Sequence, residues 1–259
     1  EPQPKPEVEA RVRFLVFSRH LILASPVIAA ILSISSGWSE AQKDTDGLYQ
    51  FGADDWDETA FSIVLNVLHG QHRKVPETVA LEMLAKIALI VDYYQVHEAV
   101  VLESRTWLSA LKLAKLPTEL NRDLCLWLTV AFVFTDTEVF KSLTRVAILR
   151  SREGMKLPAG LPISLAVNER IGEVRSSSVS AIVDGLEKLR EDYLEDRKGC
   201  GFECRAMHLG VLNISMKQLK IGDFTTMEGI TIVELVNELK NIQSPRWSHS
   251  SNRRYDHSC

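Results

Sequence analysis

Apolar residues recur every three or four positions along most of the chain, which is the spacing of one face of an α-helix. Residues 57–69 carry four apolar residues at this spacing, and Gly70 follows as a residue suited to ending a helix. Thr135 and Thr231 each stand three residues before a glutamate, a pattern that predicts a capping box at a helix start. The predicted helices cover two short segments that meet at Ser25–Pro26, and residues 57–69, 76–91, 106–113, 118–131, 135–148, 164–197, 204–220 and 231–242.

A different pattern marks the beginning of the chain. Val12, Phe14 and Val16 alternate with Arg11 and Arg13, which predicts a half-buried strand over residues 11–17. Residues 48–51 predict a short second strand. Because strands are confined to the first third, we expect an α+β fold, with a small sheet capped by helices followed by an all-α extension. No repeated alternation of strand and helix occurs, which excludes the doubly wound nucleotide-binding folds.

Composition narrows the functional classes. The chain has 259 residues, 46% hydrophobic and 25% charged, with a net charge of -4, so neither wholesale disorder nor a chain-wide nucleic-acid surface is expected. The longest apolar run, residues 124–134, is shorter than the roughly 18 residues of a membrane span. Four cysteines predict a reducing, intracellular compartment rather than a disulfide scaffold. Residues 1–7 contain three prolines and are expected to be disordered, and the lack of an initiator Met suggests upstream sequence.

Three segments in order resemble a BTB/POZ domain. Residues 12–32 are similar to a strand of that fold and the helix pair that follows it, with His20, Leu23 and Ser25–Pro26 in place, while the family's first strand is largely absent. Residues 56–70 resemble its next helix, with His69 near the usual Tyr-Thr pair. Residues 81–97 resemble the helix after it. The sequence of these segments is similar to that of a group of filamentous-fungal BTB-domain proteins. The similarity continues through LWLTVAFVF, ERIGEVR, Cys200-x-x-x-Cys204, LGVL and His257-x-Cys259.

This resemblance implies a domain plan and a function. We expect a BTB/POZ-like domain over residues 8–100, a helical BACK-like extension over 101–198, and a small helical cap over 199–259. The implied function is a non-enzymatic protein-interaction module, a scaffold or adaptor, and self-association as a homodimer is part of this expectation. The alternatives are a substrate adaptor of a cullin-type ubiquitin ligase and a metal-dependent enzyme.

Cys200, Cys204, His257 and Cys259 form the clearest chemical constellation. Structural zinc takes four thiolate or imidazole ligands, commonly in two closely spaced pairs. The first pair is four residues apart, one helical turn if a helix begins near residue 199, and the second alternates in an extended tail. We therefore predict a structural zinc site, with His208 and His249 as rival ligands. A disulfide between two of these cysteines is the alternative under oxidising conditions.

The remaining candidates are weaker. Trp38 and Glu40 stand in a loop, and in BTB adaptors a hydrophobic-x-Glu motif near this place contributes to docking on a cullin. No recognisable nucleophile accompanies the histidines at 20, 69, 72 and 97, so catalysis is not expected. Cys125 is expected to be a core thiol. The cationic and aromatic side chains of residues 246–255 could bind single-stranded nucleic acid. The preferred interpretation is a C-terminal tail that is solvated or is held in place by the predicted zinc site.

Overall fold

A computed structural model describes residues 12–33, 37–152, 165–221 and 229–245. Helices dominate this part of the chain, and three single 3-10 turns lie between them. The helices are α1 (Ser18–Ala24), α2 (Pro26–Ile31), α3 (Glu58–Leu68), α4 (Leu81–Tyr94), α5 (Val101–Leu111), α6 (Arg122–Val133), α7 (Thr137–Arg150), α8 (Leu165–Leu194), α9 (Phe202–Gln218) and α10 (Ile232–Lys240).

The predicted α+β class is wrong, because the described residues contain no β-strand and no sheet. Residues 12–17 precede α1 without pairing to a second strand. Residues 48–51 contribute one isolated bridge, between Lys43 and Tyr49, which closes a turn around Asp44. The Asp44 carboxylate accepts the backbone N–H of Leu48 at 2.9 Å, so local turn bonds take the place of a ladder. A strand is stable only beside a partner, and the alternating pattern does not supply one.

The chain divides into two compact units. In the described part, the first unit comprises the residues up to 117 together with 122–140. The second comprises residues 118–121 and 141–152 and the described residues from 165 onward. The domain boundaries predicted from the sequence remain predictions.

Helix α4 forms the centre of the first unit. Its buried residues, which include Leu84, Ile87 and Tyr94, cover more than half of the helix, and it packs against both α3 and α6. The remaining face carries Glu82 and Tyr93, which are exposed. An apolar face this wide is stable only when more than one neighbour covers it. Trp107 of α5 is also buried, and its indole N–H donates to the carbonyl of Pro76 at 2.8 Å.

The second unit has its own core, in which Val179 of α8 packs with Ile232 and Leu235 of α10. Arg175 is buried beside this core. Its guanidinium donates to the carbonyls of Ser151, at 3.0 Å, and Ile230, at 2.7 Å. A buried cation is tolerated only when its donors are bonded, and these carbonyls meet that need.

Local signals predicted several helix ends correctly. Helices α1 and α2 meet at Ser25–Pro26 as expected, and the capping box of Thr231 and Glu234 is present at the start of α10. The second predicted box is wrong. Thr135 has a φ of 55°, and the side chain of Asp136 accepts the N–H of Val139 at the start of α7 instead.

Candidate functional site

An exposed apolar surface lies at the beginning of the described chain. Within residues 12–23, Leu15 is 85% exposed, Phe17 74% and Leu23 89%. Val12, Phe14 and Ile22 are exposed to a lesser degree. We name these six residues the N-terminal apolar surface. Single exposed apolar residues are ordinary, but several close together typically mark a site of interaction.

Aromatic contacts anchor this surface to α3. The ring of Phe14 meets the ring of Phe61 edge-on, with centroids 5.8 Å apart. Phe61 in turn lies 6.2 Å from the ring of Tyr94, the last residue of α4. Tyr94 is buried, which raises the pKa of its hydroxyl, and Trp56 donates its indole N–H to that oxygen at 3.1 Å. The apolar surface therefore rests on a packed aromatic cluster.

A histidine forms the second anchor. The backbone N–H of Phe17 donates to Nε2 of His69 at 3.1 Å, and Nδ1 of the same ring lies 2.8 Å from the carbonyl of Leu65. The ring of His20, on α1, lies 5.0 Å from that of His69. Phe17 and His69, which are 52 residues apart in sequence, are thus hydrogen-bonded at the point where residues 12–17 lead into α1.

Trp38 and Glu40 lie at the 3-10 turn Ser39–Ala41. Trp38 is 59% exposed, while Glu40 is half-buried. The hydroxyl of Ser39 donates to the Glu40 carboxylate at 3.0 Å. The indole of Trp38 is therefore largely exposed two residues before Glu40, and the cullin-docking role stays a prediction.

Only part of the predicted zinc constellation falls in the described chain. Cys200 is exposed and lies two residues before α9, while Cys204 is half-buried in the first turn of that helix. His257, Cys259 and the rival His249 lie outside the described residues. His208 is half-buried, and its ring stacks on that of Tyr193 with centroids 5.6 Å apart.

Among the described residues, no three His, Cys, Asp or Glu side chains are grouped so that they could hold a metal. Because half of the proposed ligand set lies elsewhere, the zinc site and the metal-dependent enzyme stay predictions. Cys125 is buried in α6, which raises the pKa of its thiol and agrees with its expected role in the core.

The other histidines make surface contacts. Nδ1 of His72 lies 3.1 Å from a carboxylate oxygen of Glu103, and Nε2 of His97 lies 3.8 Å from Asp92. Both histidines are substantially exposed. The expectation that these rings are not catalytic stays a prediction.

Leu15 and Leu23 were missed as site residues. The sequence carried a signal, because residues 14–17 are four consecutive apolar residues, and a strand with one buried face accounts for only two of them. The cations and aromatics of residues 246–255 lie outside the described chain.

Among the described helices, none combines the length and the hydrophobicity that a membrane crossing requires. Comparisons of the chain with protein-family models, with curated proteins and with solved structures each returned no match.

Proposed function

We propose that this chain is a non-enzymatic, intracellular protein-interaction module that associates with a second copy of itself through the N-terminal apolar surface. The observation that carries the proposal is the exposure of Leu15, Phe17 and Leu23 within one short stretch. Large apolar side chains that are mostly exposed to water favour burial against a complementary surface. A scaffold or adaptor role is also what the resemblance to BTB/POZ proteins implies.

Self-association suits a surface of this composition. In a two-fold dimer the same patch meets itself, so an apolar patch is automatically matched by an apolar patch. The six side chains are uncharged, and the exposed Arg13 and Arg19 stand between them in sequence. The aromatic contact between Phe14 and Phe61 holds one end of the segment on α3, which reduces the entropy that association would cost.

Sedimentation velocity tests this proposal over chain concentrations from about 1 to 100 µM, the range of moderate to weak dissociation constants. We expect a concentration-dependent dimer. The double variant Leu15→Ser and Leu23→Ser should raise the dissociation constant at least about tenfold, because two apolar contacts per chain are lost. The matched control, Leu113→Ser with Leu194→Ser, alters two residues that are 90% and 61% exposed elsewhere.

Two results would overturn the proposal. One is a wild-type chain that sediments as a monomer at every concentration. The other is a control variant that weakens the dimer as much as the test variant does, since the effect would then reflect general surface hydrophobicity.

A second candidate function is substrate adaptor of a cullin-type ubiquitin ligase. The specific observation in its favour is the 59% exposure of Trp38 beside the carboxylate of Glu40. A large aromatic residue at an interface fills a pocket, and its truncation typically costs 2 kcal/mol or more, about thirtyfold in affinity. Binding to a purified cullin scaffold should therefore weaken in Trp38→Ala and Glu40→Ala but not in Leu48→Ala. Equal binding by all three variants would remove this candidate.

A further inference from the structure

His69 uses both ring nitrogens in hydrogen bonds whose direction is fixed. Nδ1 lies 2.8 Å from the carbonyl oxygen of Leu65, and an oxygen of this kind only accepts, so Nδ1 carries a proton. Nε2 lies 3.1 Å from the backbone nitrogen of Phe17, which only donates, so Nε2 carries none. The observed geometry therefore requires the neutral ring in a single tautomer.

The bond to Phe17 has a particular place in the fold. In the described part of the chain, the backbone of residues 12–16 makes no hydrogen bond. The N–H of Phe17 is thus the backbone donor that ties this segment to the end of α3. The other anchor is the ring contact between Phe14 and Phe61, which is apolar and insensitive to protonation.

Protonation of Nε2 would break this tie. Two N–H groups would then face each other across 3.1 Å, and the ring would lose its only acceptor. His20 lies close enough, at 5.0 Å between ring centroids, for a second positive charge there to add repulsion. Within the described residues, no carboxylate is bonded to either ring.

Several charged and titratable groups lie on α3 and on the elements around it. The ring of His72 is bonded to Glu103, and Lys86 is bonded to Asp57. The remaining groups on α3 and on the elements that pack against it or flank it are Arg13, Arg19, Glu58, Arg73, Lys74, Glu82, Asp92, Tyr93, Tyr94, His97 and Glu98. The basic side chains nearest in sequence to the two rings, at positions 13, 19, 73 and 74, add positive charge.

We propose that His69 is a pH-operated latch: the neutral ring holds residues 12–17 against α3, and the protonated ring releases them. Release would free the segment that carries Leu15 and Phe17, and so change how the N-terminal apolar surface is presented. As regulation of that surface, the latch rests on the proposed function for its biological meaning. Its opening can nevertheless be measured without any partner.

Hydrogen–deuterium exchange of the full chain tests the latch at about pH 5.0 and about pH 7.5, because imidazole side chains change charge over the range of roughly pH 5 to 8. Exchange times are scaled for the intrinsic effect of pH, and the chain is kept dilute so that it is monomeric. In peptides covering residues 12–18, we expect the amide of Phe17, which makes the hydrogen bond to His69, to lose protection about tenfold at the lower pH, the scale of one hydrogen bond. Peptides from α4 should stay protected, which shows that the unit remains folded.

Two variants separate the latch from a general acid effect. His69→Gln places an amide oxygen where it can accept from Phe17 at any pH, so its protection should no longer depend on pH. His72→Gln removes a nearby exposed histidine and should keep the wild-type response. The proposal is overturned if wild-type protection is equal at both pH values, or if His69→Gln retains the full response. A failure of dimerisation in sedimentation would leave this measurement unaffected, so the two proposals fail separately.

Discussion

Ser25 joins three elements, and its replacement by alanine should destabilise the first unit by about 2–4 kcal/mol. The residue is fully buried between α1 and α2. Its hydroxyl oxygen accepts the N–H of Ile28 at 3.0 Å, which caps α2, and its O–H donates to the carbonyl of Tyr94 at 2.6 Å. Loss of a helix cap costs about 1 kcal/mol. A buried carbonyl left without a donor costs about 1–3 kcal/mol more.

Urea unfolding followed by tryptophan fluorescence measures this loss. The signal reports mainly on the first unit, because four of the five tryptophans lie there, at positions 38, 56, 107 and 127. Ser109→Ala is the matched control, since Ser109 is exposed and its hydroxyl bonds within its own helix. The control should change stability by less than about 0.5 kcal/mol. A loss below about 1 kcal/mol for Ser25→Ala would refute the assigned hydrogen bonds.

Three further predictions concern other parts of the molecule. Leu235→Ala should destabilise the second unit by about 2–5 kcal/mol, measured by urea unfolding followed by circular dichroism, because Leu235 is fully buried in that core. The hydrogen bond from Lys86 lowers the pKa of Asp57 in the folded chain. The ionised Asp57 therefore stabilises the fold fully above the ordinary Asp pKa of about 4, and this stabilisation is lost as the pH falls through the lowered pKa of the folded chain. In Asp57→Asn, the free energy of unfolding should therefore decrease less between neutral and acid pH than in the wild-type chain. The zinc hypothesis predicts one zinc per chain by metal analysis, lost in Cys200→Ser and Cys204→Ser.

Each of these predictions has a control and an outcome that would contradict it. Leu194→Ala removes an exposed leucine and should leave the unfolding midpoint unchanged, whereas equal losses at both sites would contradict the packing of α10. Asp55→Asn replaces an exposed neighbour of Asp57 and is the control. If it reduced the pH dependence of the unfolding free energy as much, the effect would come from net charge and not from the bond to Lys86. Cys125→Ala should retain the metal. Zinc that persists in the serine variants would show that the two thiols are not its ligands.

Helices were predicted well where the signal was local. Helix α3 begins and ends within a residue of the predicted range, and the Thr231 box starts α10, because spacing and capping depend on neighbours in sequence. The starts of α4 and α6 were predicted too early. Pro76 was expected to open α4, but its carbonyl instead accepts from Trp107, 31 residues away, and the helix begins at Leu81. A tertiary contact of this kind leaves no trace in local spacing.

The candidate site was harder to predict than the helices. Its anchors join Phe17 to His69, and Ser25 to Tyr94, across 52 and 69 residues. The residue types were visible in the sequence, and Ser25 was recognised as a helix junction. Which carbonyl a serine hydroxyl reaches, or which amide a histidine accepts, depends on how α1 and α3 pack, and a single sequence does not contain that information.

The error over the sheet leads directly to the interaction proposal. The alternation of residues 12–16 predicts that the chain itself buries the face of Val12 and Phe14, but these two residues are 51% and 38% exposed. Leu15 and Phe17 on the opposite face are exposed as well, together with Leu23. Burying each such side chain is worth about 1.5–3 kcal/mol. If the proposed two-fold dimer buries six of them, the gain is comparable with the association cost of about 4–15 kcal/mol. The proposed dimer therefore depends on how completely these side chains are buried, which the Leu15→Ser and Leu23→Ser variant measures.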